Sequence, residues 1–243
     1  MTFRLPPTTR LDLLLFVFLL VIAPAWDYYD TQRLNRNPTS KKRLWYYKTL
    51  CLWLWIAALI ACSSPSWTWA LYMARHYASL LFQHAWEYYV VVPVVALFTA
   101  AIVLPYATVL WMWANHKPRK HASAELLQKI SYAYLFPATR TERRWWIVVA
   151  LTAGICEEIL FRGFLMYYLF TKFGQSAAFA VVGSCVVFGL QHLYQGAKGV
   201  VSTALIGAIF ALSFVLTGSL LLPIILHALT DLRLLVMLKP ATE

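Results

Sequence analysis

The segment "GICEEILFRGF", residues 154–164, places three charged side chains inside an apolar stretch. Residues 145–151 before it read WWIVVAL, and residues 164–170 at its end read FLMYYLF. The charged side chains are Glu157, Glu158 and Arg162. One charge at the centre of a membrane helix costs about 2.5–3.5 kcal/mol on insertion scales, so three unpaired charges would cost about 8–10 kcal/mol. If this segment lies in a membrane, its charges must have partners and a function.

The composition of the chain is typical of a membrane protein. Of the 243 residues, 61% are hydrophobic and only 13% are charged, and the mean hydropathy is +0.62. Soluble domains are typically about 45–50% apolar and about 25% charged. We therefore predict a single integral membrane domain over residues 1–243. Its fold class is all-α, a polytopic membrane helix bundle with seven or eight transmembrane helices.

The net charge of +11 does not indicate a nucleic-acid-binding protein. The basic residues cluster in short stretches beside apolar runs, at 33–48 and 117–144. This is the distribution that the positive-inside rule describes for cytoplasmic loops. We therefore expect the lipid bilayer as a partner and no nucleic acid.

The four cysteines all lie in apolar segments, and no CxxC spacing occurs. Buried thiols of this kind usually behave as small hydrophobic side chains. We expect neither a disulfide framework nor a cysteine metal site.

Hydropathy predicts where the spans lie and how they are oriented. The first apolar run, 11–26, is expected to be an uncleaved helix that either spans the membrane or lies in the interface, and a basic loop follows at 27–43. The polar connection 116–144 is expected to carry a surface helix near 124–131. Placing both basic segments in the cytoplasm puts the C-terminus there too, and we expect a bacterial inner-membrane location.

The expected spans are about 44–62, 88–115, 145–170, 175–194, 199–217 and 220–238, with 67–87 as either an interfacial helix or a further span.

The polar residues of the last spans form a candidate site. Glu158 and Arg162 are four residues apart, the favourable order for an ion pair on a helix. Glu157 points about 100° away from Glu158 and needs a different partner. Two histidines in later spans, His192 and His227, are the candidates, and Asp231 lies one turn after His227. In the predicted topology Glu157, His192 and His227 lie between the bilayer centre and the cytoplasmic side.

These residue types suit peptide hydrolysis, and they also allow other functions. A carboxylate beside an imidazole can deprotonate a water that attacks a carbonyl, and a second histidine can stabilise the oxyanion. Zinc is a second choice, since the helical HExxH spacing is absent. The same residues would also serve a non-enzymatic scaffold or immunity protein, in which ion pairs hold the bundle together, or a proton-coupled transporter.

Three motifs resemble those of the CPBP family of intramembrane proteases, also called the Abi or CAAX-protease family. Its type II CAAX prenyl proteases carry EExxxR, FxxxH and HxxxN/D on separate helices. Here the motifs read EEILFR at 157–162, FGLQH at 188–192 and HALTD at 227–231. The resemblance covers 141–238, which it identifies as the catalytic core. Residues 1–115 are recognisable only as membrane spans of unassigned role.

The resemblance implies a glutamic endopeptidase that acts near the cytoplasmic membrane surface on a peptide or a lipidated, membrane-associated protein. Glu157 and His192 would activate the water, and no metal or other cofactor is the preferred expectation. Glu158 and Arg162 would support the site, while His227 and Asp231 would form an oxyanion hole. Prenyl-protein members commonly have Asn where this chain has Asp231. Because an ionised aspartate cannot donate a hydrogen bond, Asp231 would have to be protonated or would instead orient His227. Substrate identity and oligomeric state stay open.

Overall fold

The computed structural model describes residues 8–115, 130–174 and 176–238, and every regular element in those ranges is helical. The expected surface helix near 124–131 falls almost entirely outside the described residues. Two 3₁₀ turns, Ala133–Leu135 and Leu193–Gln195, precede the two longest helices of the C-terminal part. The described helices are α1 (Arg10–Arg36), α2 (Ser40–Ser63), α3 (Ser66–Leu81), α4 (Ala85–Ala114), α5 (140–172), α6 (Ala177–Leu190), α7 (Gly196–Thr217) and α8 (Leu221–Met237).

Four of the described helical stretches are long and apolar enough to cross a membrane. They are Arg10–Arg36, Ser40–Ser63, Ala85–Met112 and Leu193–Thr217. Helix α5 carries its three charges in the middle of its apolar stretch, and α8 has only 17 residues, short of the roughly 20 that a bilayer needs. The all-helical membrane bundle is thus confirmed, and the count of seven or eight spans stays a prediction.

The N-terminal helix is longer than predicted. We expected an apolar run at 11–26 and a basic loop at 27–43, but α1 continues to Arg36 and only residues 37–39 separate it from α2. The loop prediction was wrong because charged side chains such as Arg33 and Arg36 propagate a helix well and are favourable in its last turn. At the other end, Thr9 and Asp12 form a capping box that starts the helix.

The stretch 67–87 contains a separate short helix and the start of the next one. Helix α3 ends at Leu81, and α4 begins at Ala85. Helix α3 packs against the middle of α5, where a Cβ atom at Gly163 would lie 2.3 Å from the Trp67 ring. A larger residue at this position would displace the Trp67 ring from α5.

Helix α5 is the centre of the bundle. Its side chains between Leu160 and Phe170 are buried, and this part of the helix packs against α2, α3 and α6. Near its middle, a Cβ atom at Gly154 would lie 3.0 Å from the backbone nitrogen of Ala228 on α8. This close approach brings the glutamates of α5 beside the histidine of α8.

A buried ion pair joins the N-terminal helices to the start of α5. Glu142 is fully buried, and its Oε1 accepts a hydrogen bond from Arg43 of α2 at 3.1 Å. Its Oε2 accepts from the backbone amides of Ala138 and Thr139 at 2.6 and 3.0 Å. Burial raises the pKa of Glu142, but hydrogen bonds from Ser40, the two amides and Arg43 outweigh it and hold the pKa below its ordinary value of 4.5. Glu142 precedes the predicted span at 145–170, so it lies outside the apolar part of the helix.

We expect Glu142→Gln to destabilise the protein by about 1–3 kcal/mol at neutral pH, because it leaves Arg43 without a charged partner and weakens the helix cap. A carboxylate whose folded pKa is depressed contributes stability above its unfolded pKa and loses that contribution as pH falls through the folded value. The stability difference between wild type and variant should therefore shrink below about pH 4.5. Thermal unfolding in detergent across pH measures this. Glu87→Gln, a similar cap on the more exposed start of α4, is the control. A difference that grows on acidification would contradict this role.

Candidate active site

Helix α5 changes its winding where the charged residues occur. It is α-helical over Arg140–Glu158, π-helical over Ile159–Leu165 and α-helical again over Met166–Lys172. Within the π-helical segment, the carbonyl of Phe161 accepts a hydrogen bond from the Ser184 hydroxyl of α6 at 2.8 Å. Short π-helical segments commonly mark functional positions in helices. Here the segment begins directly after Glu158.

Glu158 and Arg162 form the ion pair that their spacing predicts. Arg162 Nη1 donates to Glu158 Oε1 at 2.9 Å, and both side chains are fully buried. The Nη2 group donates to the carbonyl of Gly207 on α7 at 2.9 Å. The guanidinium also lies 4.4 Å from the centre of the Phe188 ring, in cation–π geometry. Arg162 thus joins α5, α6 and α7 around one neutralised carboxylate.

His227 lies among three carboxylates. Its Nδ1 is 2.8 Å from Glu158 Oε1, while its Nε2 is 3.9 Å from Glu157 Oε2 and 3.8 Å from Asp231 Oδ2. The last two distances exceed a hydrogen bond. The ring stacks on Phe210 with 5.1 Å between centroids. The sequence predicted the proximity of His227 to Asp231, but not its hydrogen bond to Glu158.

His192 lies just beyond the end of α6. Its Nδ1 is 3.0 Å from the carbonyl of Phe188. Because a carbonyl only accepts hydrogen bonds, Nδ1 carries the proton in this contact and Nε2 keeps a lone pair. The half-buried imidazole is therefore held as a base or acceptor through Nε2.

Phe188 is the common surface on which the polar side chains pack. Its ring contacts the Arg162 guanidinium, and its centroid lies 5.2 Å from that of His192 and 5.7 Å from that of His227. On α7, a Cβ atom at Gly207 would lie 2.8 Å from this ring and 3.1 Å from Arg162 Nη2. The sequence motif contained Phe188, but only the packing shows why an aromatic ring and a facing glycine are needed.

Two of the predicted site residues open onto a cavity of about 230 Å³. Glu157 and His192 lie on its wall, whereas Glu158, Arg162, His227 and Asp231 are absent from its lining among the described residues. The predicted residues thus divide into a pair at the cavity and a group behind it. The side chain of Glu157 is 14% exposed, and its Oε2 has no hydrogen-bond partner in the part of the chain that the structure describes.

Most of the cavity wall comes from helices whose role the sequence left unassigned. Helix α1 contributes residues from Phe18 to Asp30, and α2 contributes residues from Tyr46 to Ala57. The lining is largely apolar, including Trp26 and Trp53. At one polar position the hydroxyl of Tyr46 donates to Asp27 Oδ1 at 2.7 Å. The sequence could not identify these residues as the lining of a cavity, because their spacing is the same as in any membrane helix.

No three histidine, cysteine, aspartate or glutamate side chains within 8–115, 130–174 and 176–238 are arranged to hold a metal ion. The four cysteines are free thiols. Glu158 and His227, which sequence reasoning kept available as ligands, are bonded to each other instead.

Comparison with known proteins bears on the same part of the chain. The family described as "Type II CAAX prenyl endopeptidase Rce1-like" matches residues 139–233, which include all three motifs. No curated protein and no solved structure matches the chain. The resemblance of the motifs and this match agree on one region of the helical bundle. Residues 139–233 are therefore similar to the type II CAAX prenyl endopeptidases, and this match supports the resemblance of the three motifs to the CPBP proteases.

Proposed function

We propose that the protein is a glutamate-dependent membrane peptidase in which Glu157 and His192 activate a water for attack on a peptide carbonyl. The observation that carries this proposal is their position together on the wall of one cavity. The other predicted site residues pack behind that wall: Glu158, Arg162, His227 and Asp231. The family match supports a membrane endopeptidase.

The water needs two acceptors, and the site offers both. The carboxylate of Glu157 accepts one hydrogen, and the lone pair of His192 Nε2 accepts the other. Glu157 takes the proton as the water oxygen bonds to the carbonyl carbon, and then delivers it to the leaving amine as the peptide bond breaks. The same carboxylate thus removes the proton from the water and returns it to the leaving nitrogen, which keeps the electron pair of the broken C–N bond.

The group behind the cavity keeps Glu157 usable as a base. Two adjacent carboxylates would repel each other, and repulsion favours protonation. The charge of Glu158 is offset by Arg162 and by its bond to His227. Glu157 therefore has a neutralised neighbour instead of a second free anion.

We propose that His227 donates to the oxyanion through Nε2. Its Nδ1 is occupied by Glu158, whereas Nε2 makes no hydrogen bond to any described residue and lies beside Glu157. Asp231, 3.8 Å from the same nitrogen, orients the ring instead of donating itself. This assigns Asp231 the orienting role that an ionised side chain can perform.

The cavity suits a peptide that carries an apolar group. The family acts on peptide or prenylated protein substrates in membranes. The aromatic and aliphatic side chains of α1 and α2 offer a surface for such a group next to Glu157. We propose a lipidated or membrane-associated protein as the substrate.

We expect Glu157→Gln to reduce cleavage by about 10²- to 10⁴-fold while the protein stays folded and monodisperse, because the amide cannot take a proton. The assay uses purified protein in liposomes, a peptide with an S-farnesylated cysteine followed by three residues, and a proteome-derived peptide library, with products read by mass spectrometry. Glu87→Gln, outside the site, is the control. Full activity in Glu157→Gln, or no cleavage of either substrate by the wild type, would refute the proposal.

The same samples test the other functions. A scaffold or immunity protein would tolerate Glu157→Gln and lose stability with Arg162→Ala, which leaves Glu158 buried without its partner. A transporter would carry protons across the liposome membrane without cleaving any peptide. Either result would replace the peptidase assignment.

We propose that the reaction is independent of a metal ion, since Glu158 and His227 are engaged with each other, while Glu157 lies on α5 and His192 in the turn after α6. Exhaustive chelation followed by the cleavage assay should leave the rate within about twofold, whereas a zinc-activated water would be lost with its ion. Loss of cleavage that returns on addition of zinc alone would establish a metalloprotease.

We propose an inner-membrane location with a cytoplasmic C-terminus and a cavity that opens toward the cytoplasm. Single cysteines at Thr49 and Leu193, in a background without the four native cysteines, should react with a membrane-impermeant thiol reagent in inverted vesicles but not in intact spheroplasts. Thr49 lines the cavity and Leu193 is exposed beside His192. Labelling from the periplasmic face alone would overturn both topology and entry side.

A further inference from the structure

One carbonyl of α1 has no hydrogen-bond donor in its own helix. The helix is π-helical over Phe18–Ile22, and the Ala23 amide donates to the Phe18 carbonyl instead of the Leu19 carbonyl. The next residue is Pro24, which has no amide hydrogen. The Leu19 carbonyl therefore receives no bond from the positions four and five residues ahead, which serve α- and π-helices respectively.

The missing donor comes from the far end of α6. The side-chain amide of Gln191 donates to the Leu19 carbonyl. Leu19 is only 3% exposed, and a carbonyl left without a partner inside a membrane protein is costly. Neighbouring helices normally satisfy the groups that a proline releases, so this bond has a physical cause.

Gln191 is the residue before His192, and both line the cavity. Their turn is already held by its own helix, since the Gln191 amide bonds to Val187 and the His192 amide to Gly189. The bond to Leu19 adds a restraint from α1, a helix outside the family-matched segment 139–233. The turn that carries the proposed base is thus restrained from two sides.

We propose that Gln191 is a positioning residue: through the Leu19 carbonyl that Pro24 leaves free, it docks α1 against the His192 turn and sets the distance between His192 and Glu157. This inference rests on the proposed function of those two residues. It also gives α1 a role, because Phe18, Leu19 and the turn of helix that follows them form part of the same wall.

Gln191 could position His192, or it could only supply a hydrogen bond to the Leu19 carbonyl. Three variants distinguish these two roles: Gln191→Leu, Pro24→Ala and the double variant. Gln191→Leu leaves the carbonyl without a donor, so both the unfolding temperature and activity should fall. In the double variant the new amide at position 24 can bond to Leu19, so the unfolding temperature should recover while the docking to α6 stays lost. Pro24→Ala alone should resemble wild type, because a carbonyl oxygen can accept two hydrogen bonds.

The activity assay uses the S-farnesylated peptide. We expect kcat to be about tenfold lower in Gln191→Leu and in the double variant, with KM changed far less, because a displaced base affects the chemical step more than binding. If the double variant regains kcat together with its unfolding temperature, Gln191 only fills a vacant acceptor and the proposal is overturned.

A second measurement needs no substrate. Diethyl pyrocarbonate modifies accessible imidazole nitrogens, and mass spectrometry gives the rate for each histidine. Loss of docking should change the rate at His192 by about threefold or more in both Gln191 variants, through local opening, and leave His227 unaffected. An unchanged His192 rate would also overturn the proposal. Full activity of Glu157→Gln would instead refute the proposed function, and the His192 rate would still decide the role of Gln191.

Discussion

The carboxylate of Glu158 is the interaction on which the polar centre of this bundle depends. It is fully buried and is compensated by Arg162 at 2.9 Å and His227 at 2.8 Å. Removing one partner of a buried pair leaves a charge that the apolar surroundings cannot solvate. Because Arg162 is on α5 and His227 is on α8, their two bonds to the Glu158 carboxylate fix the position of α5 relative to α8.

The packing around this carboxylate is set by residues with no charge. Gly154 lets α5 approach the backbone of α8, and Gly207 leaves the space that the Phe188 ring and Arg162 occupy. Phe188 then orients Arg162 and both histidines on one aromatic surface. The pair of Glu158 and Arg162 is therefore a scaffold that lies behind the cavity and presents Glu157 to it.

The division of the chain at residue 139 has a functional meaning. The matched segment carries all the proposed chemistry, whereas α1 and α2 form much of the cavity wall. The two parts are joined by the Arg43–Glu142 pair near the start of α5 and by the Gln191–Leu19 bond beside His192. Changes in the first two helices can thus alter the cavity without touching the reacting groups.

The sequence by itself determined the helical class, the positions of the later helices and the local pair of Glu158 and Arg162. These follow from apolar length and from neighbours within one or two turns, which need no knowledge of the partner helices. It failed at residues 27–43, because basic side chains were taken as a loop although they extend a helix. Only the tertiary structure decided that His227 binds Glu158, 69 residues away, and that Gln191 reaches Leu19 across 172 residues. Such contacts depend on which helices pack together. That packing depends on glycines that leave room for neighbouring helices and side chains, and on the Leu19 carbonyl, to which Pro24 cannot donate a hydrogen bond.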